Sequence, residues 1–147
     1  MQRYSSLDFP PYAFVPGRNP HPKSNPQGHS FGKEESIPEK LDLLLYKQSI
    51  EYLYGIDLFN YGYYWEAHEV WEGLWNAHKR EGHIADFLKA LIKLTAAGVK
   101  VKQGQDRGIN DHSLAAGKIF KDILENTKKD NFLGLSLSML INFTDTN

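Results

Sequence analysis

Apolar and polar positions change rhythm near residue 35. From Leu41 onward a helical period sets in, with Leu41, Leu44, Leu45, Ser49, Tyr52, Leu53 and Ile56 on one face, which predicts a first helix over about 37–60. Ser36-Ile37-Pro38-Glu39 has capping-box spacing at its start, and Pro38 falls in the first turn, where a missing amide donor costs nothing. Gly62 marks a break. A second helix then covers about 63–80 and ends near Gly82. The third covers about 83–103, with Ile84, Phe87, Leu88, Leu91, Leu94, Thr95 and Gly98 sharing a face. Asn110 or Asp111 caps a fourth, which runs to about Lys128. The last stretch, NFLGLSLSMLINF, fits two periods: Leu133, Leu135, Leu137, Met139 and Ile141 alternate as in a strand, whereas Leu133, Leu137, Leu140 and Ile141 fit a helix. A single strand would leave a row of unpaired backbone groups, so a short helix from about 136, capped by Ser136, is the expectation. The pattern predicts an all-α bundle of four main helices plus a short C-terminal helix.

Residues 1–35 keep no such period. PPYAFVPGRNPHPKSNPQGHSFG holds six of the seven prolines, which rules out a helix or an inner strand there. Composition alone fits a disordered tail, but Tyr12, Phe14, Val15 and Phe31 are apolar side chains that a solvated tail does not need. An extended arm over 1–35, lying across a helical domain over 36–147, is the expectation.

Composition narrows the function classes. Lys plus Arg number 17 against 18 for Asp plus Glu, a net charge of -1, so the chain lacks the positive field that would hold a nucleic acid. Cysteine is absent, which removes disulfides and thiolate chemistry. No apolar run approaches the roughly 18 residues of a membrane span, and MQRYSSLDFPPY has no apolar leader core. A cytoplasmic protein is expected.

The polar residues inside YYWEAHEVWEGLW, residues 63–75, decide where a site could lie. With about 100° per residue and His68 set at zero, Tyr64, Trp71 and Trp75 fall within about 60° on one side, and Glu72 and Trp65 at about 40° and 60° on the other. Glu69, near 100°, is marginal, and Glu66, near 160°, points to solvent. His68 and Glu72 are therefore expected on the buried side, one turn apart and in contact. A buried carboxylate must be paired, hydrogen-bonded, metal-bound or protonated. One reading is a structural imidazole–carboxylate pair. The other is a small-ligand or divalent-metal site in the bundle interior, with His68 and Glu72 as ligands or Glu72 as general base.

A third ligand has to come from elsewhere. Glu69, His112 in the first turn of the fourth helix, and the arm residues His21 and His29 are the candidates. Arg107, in the glycine-flanked turn QGQDRGINDH before a helix start, would suit a small anion. Lys89, Lys93 and Lys100 line one side of the third helix and read as a solvated face.

DLFNYGYYWEAHEVWEGLW followed by FLKALIKLTAAGVKVKQGQDRG resembles the domain-of-unknown-function family 309, over about Asp57 to Gly108. The resemblance implies a small all-α fold and no assigned activity. Its shared polar and aromatic positions fall on Asn60, Gly62, Trp65, Glu66, His68, Glu69, Trp71, Glu72, Trp75 and Arg107. Lys89 and Lys93 stand where many members carry glutamine. Two functions compete on this footing. One is a ligand or metal site around His68, Glu69, Glu72, Trp65 and Trp71, with Arg107 or His112 contributing. The alternative is a non-enzymatic partner-binding or scaffolding domain that uses the arm for interaction, a reading that includes a homo-oligomer with swapped arms.

Overall fold

The computed structural model describes residues 2–105 and 108–145. Five α-helices follow one another: α1 (Ile50–Asn60), α2 (Tyr64–Ala77), α3 (His83–Gln103), α4 (Ile109–Thr127) and α5 (Leu137–Asp145). Each packs chiefly on its neighbours in sequence, so α2 lies against α1 and α3, and α4 against α3 and α5. The fold is an all-α bundle, and Tyr52, Leu58, Trp71, Leu74, Phe87, Leu88, Phe120, Ile123 and Leu137 form its core. No helix among the described residues is long and apolar enough to cross a membrane.

The first helix begins thirteen residues later than its period suggested, at Ile50 rather than 37. Ser49 is its cap, the side chain accepting from the Tyr52 amide at 3.2 Å. Upstream, Asp42 Oδ1 accepts from the amides of Leu44 and Leu45 (2.7 and 3.1 Å), and a 3-10 turn follows over Tyr46–Gln48. A side chain that captures local amides offers the backbone a turn in place of a helix. The Leu41 amide is tied instead to His78 Nε2 at the end of α2, 2.9 Å away. Burial and the nearby Lys40 charge push His78 below its ordinary value, consistent with the neutral ring that this acceptor role demands. Leu41 alone of this run reaches the core; Ile37, Leu43, Leu44 and Leu45 are exposed, Leu44 at 88%.

The bounds of α3 match the sequence period closely. For α4 the cap differs: Gly108, with φ 90°, precedes it, and Asn110 and Asp111 lie inside the first turn without a side-chain capping bond. There an acidic side chain still complements the helix dipole.

Near the C-terminus the helical period prevails, after a short ladder. Asn131–Phe132 (β1) pairs antiparallel with Leu135–Ser136 (β2), through a tight turn in which Leu133 and Gly134 have φ 49° and 82°. Of the alternating set only Leu135 lies in a strand; Leu137, Met139 and Ile141 are helical. Helix α5 then starts at Leu137, with Ser136 Oγ accepting from the Met139 amide and Asp130 Oδ1 from that of Ser138.

The chain before α1 lies against α1 and α2 as a strap. Asp57, wholly buried in α1, accepts from the amides of Tyr4 and Ser5 at 2.8 Å each and from Ser5 Oγ at 2.7 Å, with Arg3 Nε 3.0 Å away. Burial works to raise the Asp57 carboxyl, but these contacts outweigh it and hold the group below its ordinary value. The Arg3 guanidinium also lies 4.1 Å from the centre of the Phe9 ring. Tyr54 Oη donates to the Asp8 carbonyl at 2.7 Å, and Phe9 stacks on Tyr63 at 4.9 Å. Farther along, Phe14, Val15 and Pro22 are buried.

One close approach fixes how α1 and α2 meet. A Cβ on Gly55 would collide with the Trp71 indole, whose Nε1 donates to the Tyr52 carbonyl at 3.3 Å. Only glycine lets the ring pass there.

Candidate functional site

Between the strap and the α1–α2 pair lies a cleft of about 780 Å³. Trp65, Glu66, Glu69, Val70, Glu72, Gly73 and Asn76 of α2 form one wall, Glu51, Tyr54 and Leu58 of α1 the next, and strap residues including Phe9, Lys23 and His29 close it.

Glu66 departs most from the helical-wheel expectation. It is 5% exposed rather than solvated. Its Oε2 accepts from the Phe14 amide at 2.9 Å and lies 2.7 Å from His29 Nε2. The wheel considered the bundle alone, whereas the strap covers the side of α2 that the bundle leaves free. The His29 side chain is 4% exposed, and its Nδ1 meets Ser30 Oγ at 2.8 Å, so the ring donates to Glu66 while the serine hydroxyl can donate to the ring. No protein group among the described residues reaches Glu66 Oε1, although that oxygen is buried.

Trp65 stands beside this pair. Phe14 meets its ring edge-on at 5.2 Å, and His21 and His29 approach at 5.7 and 6.4 Å. Val15 and Asn19 hold the strap's bend, the Val15 amide donating to Asn19 Oδ1 at 2.9 Å. Tyr12 Oη accepts from the His29 amide at 3.1 Å and donates to the Pro20 carbonyl at 2.7 Å.

His68 and Glu72 do form the expected pair, Nε2 to Oε2 at 3.0 Å, but they are not enclosed. Their side chains are 31% and 38% exposed, which corrects the expectation of a buried pair amid indole rings. Glu72 lines the cleft, and His68 stands behind it, with its Nδ1 3.6 Å from Glu69 Oε1. His68 and Lys23 together lower the Glu69 carboxyl to about 2. At 3.6 Å the imidazole is beyond hydrogen-bond distance, so Lys23 Nζ, at 2.6 Å, is the direct donor. Lys23 also pairs with Glu35 of the strap, so a single ammonium ties three segments together.

The other expected residues scatter. Trp71 is a core residue, 2% exposed and packed on Phe59 at 6.2 Å. Trp75 carries the Arg80 guanidinium over its ring at 4.3 Å. His112 lies in the first turn of α4, as expected, and does not line the cleft. Arg107 lies outside the described residues. Among the described residues no group of three or more His, Cys, Asp or Glu side chains could hold a metal ion.

Glu66, His68, Glu69 and Glu72 belong to one stretch of sequence, and that stretch is what other proteins share. Residues 52–111 match the family model of a domain of unknown function, DUF309. The match spans α1, α2 and α3, with the bundle side of the cleft, and stops at the first turn of α4. The strap, with His29 and Lys23, lies outside it. No curated protein and no solved structure matches the chain.

Sequence reasoning offered His29, with His21, as a third ligand beside His68 and Glu72 and missed its pairing with Glu66. The apolar residues Tyr12, Phe14, Val15 and Phe31 among the prolines implied packing of the arm without saying against what.

Proposed function

We propose that the chain is a small-ligand-binding domain whose site is the cleft between the strap and α1–α2, with Glu66 at its base. One observation carries this reading: a buried carboxylate is held through one oxygen by the strap, and no group among the described residues donates to the other. Such an oxygen forfeits about 1–3 kcal/mol unless something satisfies it. The cavity's size supports the same reading, since small-molecule sites run from about 300 to 1,000 Å³. His68 then has a supporting part, steadying Glu69 and Glu72 on the outer side. A metal on His68 and Glu72 has only those two side chains on adjacent turns to hold it.

The partner-binding alternative drew on the arm as a free interaction segment. Here the arm spends Phe14, Val15, Pro22 and His29 on α2 and on itself, which favours a wall over a lure.

A fragment library screened by ligand-observed NMR tests the proposal, with Gly73→Phe as the control. Gly73 lines the cleft, and a Cβ there meets only Pro38, at 3.7 Å, so the larger ring can fill the space without breaking α2. Binders that disappear in Gly73→Phe are expected. Binders indifferent to that substitution, or an empty screen, would contradict the proposal.

A further inference from the structure

We infer that the ligand of this cleft is a small organic cation, an ammonium or guanidinium carried on an apolar body, with its N–H groups directed at Glu66. This rests on the cleft's being a ligand site, and it adds the chemical class.

Charge points first to that class. The whole chain is balanced, 17 basic against 18 acidic residues. The cleft is not: seven carboxylates line it, among them Glu51, Glu66, Glu69 and Glu72 on the helices, against only Lys23 and Lys33. Lys23 pairs with Glu69 and Glu35, which leaves Lys33 against the other five carboxylates, Asp8, Glu34, Glu51, Glu66 and Glu72. A concave surface of one sign, with low-dielectric walls, concentrates its field on the ligand and raises the local concentration of the opposite charge.

The second pointer is the hydrogen bonding of one of those carboxylates. Glu66 is almost wholly buried, lines the cleft, and keeps one oxygen without a donor among the described residues. Its other oxygen accepts from two donors. What the free oxygen lacks is an N–H or O–H; an anion would only repel it, and a cationic N–H makes the stronger bond.

Aromatic walls complete the recognition. Phe9, Tyr54 and Trp65 all line the cleft, and ring faces attract ammonium and guanidinium groups. The strap shows the same chemistry in miniature. Arg3 pairs with the buried Asp57 while its guanidinium lies over Phe9, so a carboxylate and an aromatic face already hold one cation beside the cleft. A bare metal ion fits less well, since no group of three ligating side chains is available among the described residues.

Four compounds of matched shape separate the possibilities: 2-phenylethylammonium, phenylguanidinium, neutral 3-phenylpropionamide and anionic 3-phenylpropionate, titrated calorimetrically at low and high salt. Saturable binding of one or both cations is expected, weakened by salt, with the amide and the carboxylate about tenfold weaker or absent. Glu66→Gln should weaken the cations about tenfold and leave the amide unchanged. Should Glu66→Gln fail to fold, Glu51→Gln, which removes charge from the cleft without touching the strap's anchor, should reduce cation affinity and its salt dependence. Equal or tighter binding of the amide or the carboxylate, lost in Gly73→Phe, would overturn the cationic class and leave the cleft standing as a site. Binding of none of the four overturns the cationic inference, whereas the site itself falls only if the fragment screen is empty or its binders are indifferent to Gly73→Phe.

Discussion

Glu69 is held far below its ordinary value, and that makes one strap anchor sensitive to acid. Its carboxyl lies at about 2 in the folded chain against 4.5 ordinarily, through His68 and Lys23. A carboxyl depressed by folding contributes stability in full above its unfolded value and loses it as pH falls toward the folded one. The hold of His68 and Lys23 on Glu69 is therefore complete above about pH 4.5 and fades between there and pH 2. Glu69→Gln cannot titrate, so its urea midpoint should lie below that of the native chain at pH 6 and converge on it toward pH 2. A gap that stays constant over that range would refute the assignment. The neighbouring residues show how far a helical wheel reaches. It found the His68–Glu72 contact, because i,i+4 adjacency is a property of the helix itself. It misplaced Glu66, because what buries Glu66 is a segment about fifty residues earlier in the chain, and no local period carries that information.

Elements repeat the lesson with different physics. The bounds of α3 were legible because a long amphipathic period, a glycine before it and a glycine after it all agree. The start of α1 was not, because the period counted Ser49 as an interior position and the capping-box spacing at Ser36 drew the helix back to 37, whereas Ser49 is the cap. Ser36-Ile37-Pro38-Glu39 has the spacing, yet Ser49 makes the bond. The consequence is a paired measurement by chemical denaturation. Ser49→Ala should cost about 0.5–2 kcal/mol, the usual loss of a cap, and Ser36→Ala nearly nothing. The reverse ranking would place the helix start at 37 after all. In the C-terminal stretch the helical period was the right choice, with α5 begun by Ser136, while the two-residue ladder turned by Leu133-Gly134 uses only Leu135 of the alternating set.

On the scale of the whole molecule, the bundle supplies one wall of the cleft and the strap the other. The portion that matches DUF309 contains the bundle wall with Glu66, Glu69 and Glu72, while the donors that grip Glu66 come from outside it. The all-α architecture could be read from periodicity because helices advertise their buried faces. An arm across the helices was expected from Tyr12, Phe14, Val15 and Phe31, but not where it docks, because a proline-rich segment full of turns carries no period and its anchors are single side chains and amides. Everything proposed about the cleft therefore depends on residues 12–30 lying where they do. The amide of Phe14 reports this directly, since its N–H donates to Glu66 Oε2 from a buried position. Site-resolved hydrogen exchange by NMR should show that amide protected by about a hundredfold or more over an unstructured peptide, and Glu66→Leu should remove the protection while the α3 amides keep theirs. Exchange of the Phe14 amide at the rate of a free peptide in the native chain would mean that the strap does not cover α2, and the cleft would lose its second wall.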